Sequence, residues 1–205
     1  RIVADAMASD APLGGVIHSA GVLDDKMMSE LDWASFQKVM ASKVQGARNL
    51  HVATKDLALD FFVMFSSNTS VVGNRGQANY AAANAFEDAL AHHRKMQNLP
   101  ALTINWGPWS DVGMAAGLGT AAFDDMGLGL ISPKRGMQLM RQHMNQSTFP
   151  QIVVAPVDWS VFLAGFGKKV PALFSVLKAE VEKQAGSGGK KGGKKKKKSL
   201  SLIHI

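Results

Sequence analysis

Phe65-Ser66-Ser67-Asn68-Thr69-Ser70-Val71-Val72-Gly73-Asn74-Arg75-Gly76-Gln77-Ala78-Asn79-Tyr80-Ala81-Ala82-Ala83-Asn84-Ala85-Phe86 contains the single tyrosine of a 205-residue chain. Ser67 stands thirteen residues before Tyr80, and Asn84 four after it. Upstream, the apolar run from Leu59 to Phe65 is broken only by Asp60. A run of that length and type reads as a buried strand. The strand is expected over residues 60–66, with Ser67 at its carboxyl end, where open α/β sheets bind ligands. Gly73 and Gly76 mark a loop. From Gln77 the alanine-rich pattern predicts a helix to about Met96. Tyr80 and Asn84 then share a helix face at i, i+4, so a strand-end hydroxyl and a first-turn phenol point into one cleft.

A free phenol titrates near pKa ~10 and is a poor acid at neutral pH. A nearby cation lowers that value by favouring phenolate, and proton donors work best with a pKa close to the working pH. Position 84 offers only a neutral amide. Lys43, in Ala41-Ser42-Lys43-Val44-Gln45-Gly46, is the candidate cation, on a helix expected over residues 33–53. A lone serine, tyrosine or lysine is usually structural or solvated. Here spacing, loop glycines and helix context agree.

Two further stretches fit close contact with a bound group. Gly14-Gly15-Val16-Ile17-His18-Ser19-Ala20-Gly21-Val22 reads as a short strand running into small residues, which let a backbone approach a ribose. His18 reads as a packed or backbone-bonded histidine rather than a base. A strand over residues 101–106 ends at Trp106, and Gly107-Pro108 turns the chain. Expected strands span residues 15–19, 60–66, 101–106 and 151–155. Expected helices span 33–53, 77–96, 133–144 and 172–183. This alternation predicts an α/β protein with parallel pairing.

Ser66-Ser67, Gly73, Gly76-Gln77, Tyr80 to Ala85 and Asn105-Trp106-Gly107-Pro108-Trp109, with Asp158-Trp159 after a strand, resemble the ketoreductase domain of modular polyketide synthases and animal-type fatty acid synthases. These belong to the short-chain dehydrogenase/reductase superfamily. The resemblance runs from the first residues to about Leu177. It implies a Rossmann-like, doubly wound parallel sheet, of which this chain is the carboxyl-terminal part. Nothing in residues 1–40 fits a glycine-rich strand–turn–helix, so the amino-terminal cofactor half is expected to be missing. The wider superfamily places a lysine four residues after the tyrosine. In synthase ketoreductases lysine and asparagine are exchanged, and Lys43 and Asn84 stand accordingly.

By this resemblance Tyr80 is the proton donor, Ser67 bonds the substrate carbonyl, Lys43 binds ribose and lowers the tyrosine pKa, and Asn84 completes the polar network. His18, Ser19, Ala20, Gly21, Lys43, Tyr80, Gly107 and Pro108 are the implied cofactor contacts. The implied cofactor is NADPH. The implied substrate is a β-ketoacyl thioester on the phosphopantetheine arm of an acyl carrier protein, the expected partner along with other synthase domains. Leu23-Asp24-Asp25, with Val72 rather than tryptophan eight residues before Tyr80, implies a B-type site forming the D-hydroxyl. From residue chemistry alone, Asp24 and Asp25 read as caps of the next segment. Gln77 and Met114 complete the expected substrate and stereochemical positions. The glycine-punctuated apolar segment 112–130 reads either as a substrate lid or as an ordinary surface helix with loops.

The chain has no cysteine, which removes disulfides and thiolate metal sites. Its six histidines are scattered except His92-His93, read as a solvated pair, and no metal site is expected. No apolar run reaches eighteen residues, so no transmembrane helix is expected. The net charge of +7 invites a nucleic-acid or membrane reading. Seven lysines and no acid lie in residues 190–205, so residues 1–189 are electrically balanced and neither partner is expected.

Residues 1–177 are thus expected to form the ketoreductase part, 178–189 a linker, and 190–205 a Lys-rich low-complexity tail. Its lysine run is what adenines encode. Leu200-Ser201-Leu202-Ile203-His204-Ile205 matches a translated library adapter (CTGTCTCTTATACACATC), a segment to exclude from fold reasoning. A cytoplasmic location is the default, with a plastid as the other possibility; no targeting region is recognised. The remaining alternatives are a non-catalytic synthase scaffold, a stand-alone short-chain reductase and a basic-tail binding protein. Lys43, Ser67, Tyr80 and Asn84 together, the synthase-type Asn84 and Asn105–Trp109, and the neutral body speak against each in turn.

Overall fold

The computed structural model describes residues 2–114, 120–144, 148–187 and 200–204. Strands β1 (Gly15–His18), β2 (Phe61–Ser67), β3 (Leu102–Trp106) and β4 (Gln151–Pro156) pair in parallel and in sequence order. A short β5 (Leu200–His204) follows β4 in that order. The helices are α1 (Ile2–Met7), α2 (Trp33–Met40), α3 (Gly46–Thr54), α4 (Thr69–Val72), α5 (Ala78–Met96), α6 (Thr120–Asp125), α7 (Pro133–Met144), α8 (Trp159–Ala164) and α9 (Ser175–Ser187). The parallel α/β architecture of the sequence reading is present, and the first four strands lie within a residue or two of their expected bounds.

The chain divides into two compact units. The first (Arg1–Trp106, Met137–Val154 and Leu202–Ile205) contains the first three strands and most of β4. Its strands are apolar because helices cover the sheet: every residue of β3 is buried. Val16, Phe62 and Met64 of the sheet pack with Ala47 of α3 and with Leu90 and Ala91 of α5; Leu50 and Phe86 lie against this cluster. Each large side chain so buried contributes about 1.5–3 kcal/mol. Asp32 caps α2, accepting from the Ser35 backbone N–H at 2.8 Å and the Ser35 hydroxyl at 2.7 Å. Asp24 and Asp25 are therefore not its caps.

The second unit (Gly107–Gly136 and Ala155–Ser201) is built around irregular chain. Trp109 bridges to Ile131, and the Trp109 indole occupies the space a side chain at Gly136 would need. Gly127 has φ +71° and sits against the Asp158 carbonyl and the Phe162 amide, where a Cβ would come within 2.7 Å of each. Phe162, Phe166 and Phe174 form a ring cluster. Phe123 of α6 is buried, which makes it a core residue rather than a lid surface. Met114 is half exposed. Part of the expected lid, residues 115–119, lies outside the described residues.

Two boundaries differ from the sequence reading. The helix expected over residues 33–53 is interrupted by a π turn at Ala41–Gln45. The expected linker is helical as far as Ser187, because α9 continues through it. Residues 175–185 are strong helix formers, and Lys178 pairs with Glu182 at 3.8 Å. Of the expected Lys-rich tail, residues 190–199 lie outside the described residues.

A polar network crosses this apolar sheet. Asn105 and Thr103 alternate onto the same face of β3 and both reach Asp88 of α5: Thr103 Oγ1 donates to Oδ1 at 3.0 Å and Asn105 Nδ2 to Oδ2 at 2.8 Å. Asn105 Nδ2 also lies 2.7 Å from Ser70 Oγ and 3.0 Å from Ser66 Oγ, and its Oδ1 accepts from Gln151 Nε2 at 3.1 Å. His92 Nε2 bonds Gln151 Oε1 at 3.1 Å, so His92 is a network member rather than the solvated residue expected. A buried network of this kind is costly to leave half-satisfied. Asn105→Leu should destabilise the protein by about 3 kcal/mol, since it takes one donor from buried Asp88 and the acceptor from Gln151 Nε2. Urea unfolding checks this, and a loss under about 1 kcal/mol would mean the network bears little of the fold's stability.

Candidate active site

α5 begins just after a turn set by Gly73 and Gly76, both at positive φ (76° and 83°), a conformation that suits glycine. Its buried residues include Tyr80, Asn84, Glu87, Ala91 and Arg94, a stripe at helical spacing. Most of that stripe is polar, so its groups must find partners inside the protein. Arg94 finds them at the far end, donating to the Pro100 carbonyl at 3.0 Å and lying 3.9 Å over the Phe62 ring.

At the near end, Tyr80 is buried with Val39, Ala83 and Leu23. Its hydroxyl is influenced by hydrogen bonding to both Asn84 and Ser67. Ser67, the last residue of β2, is buried; its hydroxyl donates to Thr69 Oγ1 at 3.0 Å and accepts from the Thr69 N–H at 3.2 Å. Asn84 Nδ2 donates to the Tyr80 carbonyl at 2.8 Å, while its Oδ1 is buried without a hydrogen-bond partner. Tyr80 and Asn84 thus lie one turn apart on the buried side of α5, with the Ser67 hydroxyl hydrogen-bonded to Thr69 and the Asn84 side chain to the Tyr80 carbonyl.

Lys43 comes from the π turn, where the wider coil alters the direction of a side chain; such turns recur at functional sites. It is 2 % exposed, donating to the Phe65 carbonyl at 2.7 Å and to Glu87 Oε2 at 3.0 Å. Its Nζ lies 5.7 Å from the centre of the Tyr80 ring. Lys43 is therefore near the phenol, but its charge is directed at Glu87. Sequence reading missed Glu87, although its position seven residues after Tyr80 and three after Asn84 places it on their face.

The Tyr80 phenol is held above its ordinary value, chiefly by burial; Asn84 and Ser67 pull it down, and the Glu87 and Asp25 carboxylates push it up. This corrects the expectation of a lowered Tyr80: burial outweighs the hydrogen bonds, and Glu87 answers the lysine. Burial pushes the Glu87 carboxyl up to about 8 despite Lys43. His18 is buried, with Nε2 3.3 Å from Glu87 Oε1, and is held below its ordinary value by burial and by Lys43. Gly46 lets the helix close on it: a Cβ there would meet His18 Cε1 at 3.1 Å. His18 is thus the packed residue expected, its ring engaged with Glu87 and the Ser42 backbone.

The loop after β1 returns to the start of α5. Gln77 Nε2 donates to Asp25 Oδ2 at 2.8 Å, Asn79 Nδ2 to the Asp24 carbonyl at 2.8 Å, and the Lys26 N–H to the Gly76 carbonyl at 2.9 Å. Leu23, Asp24, Asp25 and Gln77 are therefore gathered beside Tyr80. Val72 ends α4 and is half-buried. Ser19 and Ala20 are exposed at the carboxyl end of β1, leaving backbone open to a ribose-sized group. Trp106 pairs with Ser67 at the same sheet edge; Gly107 and Pro108 follow it in the chain, and with Met114 belong to the second unit. Among the described residues no cluster of acids and histidines could hold a metal ion.

The model of the KR domain family matches residues 1–111. Polyketide synthase GfsA of Streptomyces halstedii is 37 % identical over 189 residues, covering 91 % of this chain and 2 % of the synthase. Mycoketide-CoA synthase of Mycobacterium tuberculosis is 40 % identical over 179 residues, covering 85 % of this chain and 4 % of that protein. A solved structure of A-type ketoreductases from a modular polyketide synthase matches with a TM-score of 0.82 at 36 % identity, covering 88 % of this chain and 38 % of its own. The chain thus spans only a few per cent of the curated relatives named.

Lys43 and Glu87 also set a pH-dependent stability. Glu87 is raised from 4.5 to about 8, so its contribution to stability is full below about pH 4.5 and is lost as pH rises through about 8. Above that value only Lys43 balances the buried carboxylate. Lys43→Met should therefore cost about 3–5 kcal/mol at pH 9 and clearly less at pH 6, where Glu87 stays protonated. Thermal melts at the two pH values check this, and an equal loss at both would contradict it.

Proposed function

The chain belongs to the KR domain family, with the short-chain dehydrogenase-type Rossmann fold of polyketide synthase ketoreductases, and from this premise we propose that it carries the catalytic residues of an NADPH-dependent β-ketoacyl reductase. The observation that carries the reading is that buried Tyr80 sits in the first turn of α5 with Lys43 Nζ 5.7 Å from its ring centre, Asn84 one turn on, and Ser67 buried at the carboxyl end of β2. A strand edge of this kind is where α/β sheets bind ligands.

The substrate is a β-ketoacyl thioester on the phosphopantetheine arm of an acyl carrier protein within a polyketide or fatty acid synthase. When bound, NADPH supplies a hydride to the β-carbon. Ser67 and Tyr80 donate hydrogen bonds to the carbonyl oxygen as charge develops there, and Tyr80 passes its proton to that oxygen. The resulting phenolate regains a proton from water. Lys43, the exposed backbone of Ser19 and Ala20, and the adjacent Gly21 would hold the ribose. Gly107 and Pro108 serve the nicotinamide end, and Asn84 orients the tyrosine. Preference for NADPH comes with the family.

We read residues 1–177 as the ketoreductase part. Leu23, Asp24, Asp25 and Gln77, gathered beside Tyr80, together with Val72 support a B-type product, the D-hydroxyl; the A-type structural match shares the fold. Met114 remains the candidate substrate contact beyond β3. Bacterial sources of the relatives favour the cytoplasm, and nothing favours a plastid. Among the described residues no helix is long and apolar enough to cross a membrane.

In the full-length protein, Tyr80→Phe should abolish reduction of a β-ketoacyl thioester while cofactor binding persists, and Ser67→Ala should lower the rate about 10²–10³-fold. NADPH consumption checks both rates, a fluorescence titration with NADPH checks that Tyr80→Phe still binds cofactor, and chiral analysis of the product checks the B-type reading. Robust turnover by Tyr80→Phe would remove Tyr80 from the role, and an L-hydroxyl product would overturn the B-type reading.

A further inference from the structure

Glu87 is fully buried two turns along α5 from Tyr80, and the proposed chemistry has no task for it. Its Oε2 holds the Lys43 ammonium at 3.0 Å. Its Oε1 has no hydrogen-bond partner, and neither has His18 Nε2, 3.3 Å away. His18 donates to the Ser42 backbone. With Nε2 unpartnered, that bond uses Nδ1, which leaves Nε2 as the acceptor of the neutral ring. A proton on Oε1 shared with Nε2 would satisfy both buried atoms at once.

The remaining surroundings are simple. Lys43 faces Glu87 from the π turn, His18 from β1 and Asp88 from α5 itself; from β2 the Phe65 carbonyl meets the same ammonium. Asp25 and Glu87 are the carboxylates that bear on Tyr80. Asp88 is already engaged by Thr103, Ser70 and Asn105, which leaves Oε1 of Glu87 and Nε2 of His18 as the unpartnered pair beside Lys43.

We infer that Glu87 is a positioning residue for the reduction: it is the counter-ion of Lys43, and the proton it shares with His18 decides how much of the lysine charge reaches Tyr80. With Glu87 neutral, the Lys43 charge is uncompensated and favours phenolate. With Glu87 ionised, the ammonium is matched and the phenol keeps its proton. The raised Glu87 and lowered His18 agree with a proton resting between them at neutral pH. The catalytic meaning rests on the proposed function; the electrostatic coupling does not.

Tyr80→Phe removes one phenol, so a difference titration isolates the ionisation of Tyr80 from that of any other tyrosine. The experiment is an ultraviolet pH titration of the full-length protein, taken as the difference from its Tyr80→Phe variant. Glu87→Gln should make Tyr80 about tenfold more acidic, a shift of about one pH unit. In a Lys43→Met background Glu87 has lost the ammonium that favours its ionisation and stays protonated, so adding Glu87→Gln there should move Tyr80 much less. If Glu87→Gln fails to fold, Glu87→Asp, which withdraws the carboxylate from Lys43, should give a smaller shift in the same direction. A Tyr80 midpoint unchanged in a folded Glu87 variant, or a shift that persists without Lys43, would overturn the inference. The same samples are assayed for ketoacyl reduction: a shifted titration with no reduction in the parent protein would sustain the coupling and sink the proposed function.

Discussion

A lysine that is 2 % exposed must have its charge met inside the protein. Lys43 meets that demand with one carbonyl and one carboxylate. The carbonyl is that of Phe65, so the ammonium is tied to β2 just before Ser67. The carboxylate is that of Glu87, so it is also tied to the helix that carries Tyr80. One buried cation therefore clamps the three elements that supply Lys43, Ser67 and Tyr80. Breaking such a pair by removing one partner is expensive, which makes the site's geometry part of the fold's stability.

The same clamp sets the electrostatics. A proton-donating phenol needs help to lose its proton, yet here burial holds it up. Asn84 and Ser67 work against burial, and Lys43 acts uncompensated only while Glu87 keeps its proton. The net acidity of Tyr80 is thus a balance among neighbours, with the ionisation of Glu87 as the adjustable part. The Asn105 network holds the other side of the same strand end: Asn105 reaches Ser66 and Ser70 on either side of Ser67.

Much of this was legible in the sequence because it rests on short periodicities. The apolar runs gave the first four strands, and the i, i+4 spacing put Tyr80 and Asn84 on one face. Lys43 was legible only as a candidate cation on an expected helix, with its role supplied by the resemblance, since its contact with α5 spans 44 positions. Glu87 was within reach of the helical period but carried no motif, and a glutamate on a helix ordinarily reads as solvated. The π turn left no local signature: Ala41 to Gln45 are unremarkable helix formers. Asn105 read as part of a strand end, because its partners come from Ser66, Ser70, Asp88 and Gln151, far apart in the chain. Of the two readings of residues 112–130, the burial of Phe123 within a mostly exposed α6 fits the ordinary surface helix with loops, a pattern glycine and apolar residues describe as well as a lid.

The proposed reduction requires the Tyr80 and Ser67 hydroxyls together to hold the reacting carbonyl. The most direct test is a crystal structure of the full-length protein with NADP and a β-hydroxyacyl thioester bound. The account predicts one substrate oxygen within hydrogen-bond distance of both hydroxyls, with Lys43 at the cofactor ribose. A substrate oxygen bound away from Tyr80, with Lys43 engaging no part of the cofactor, would contradict it.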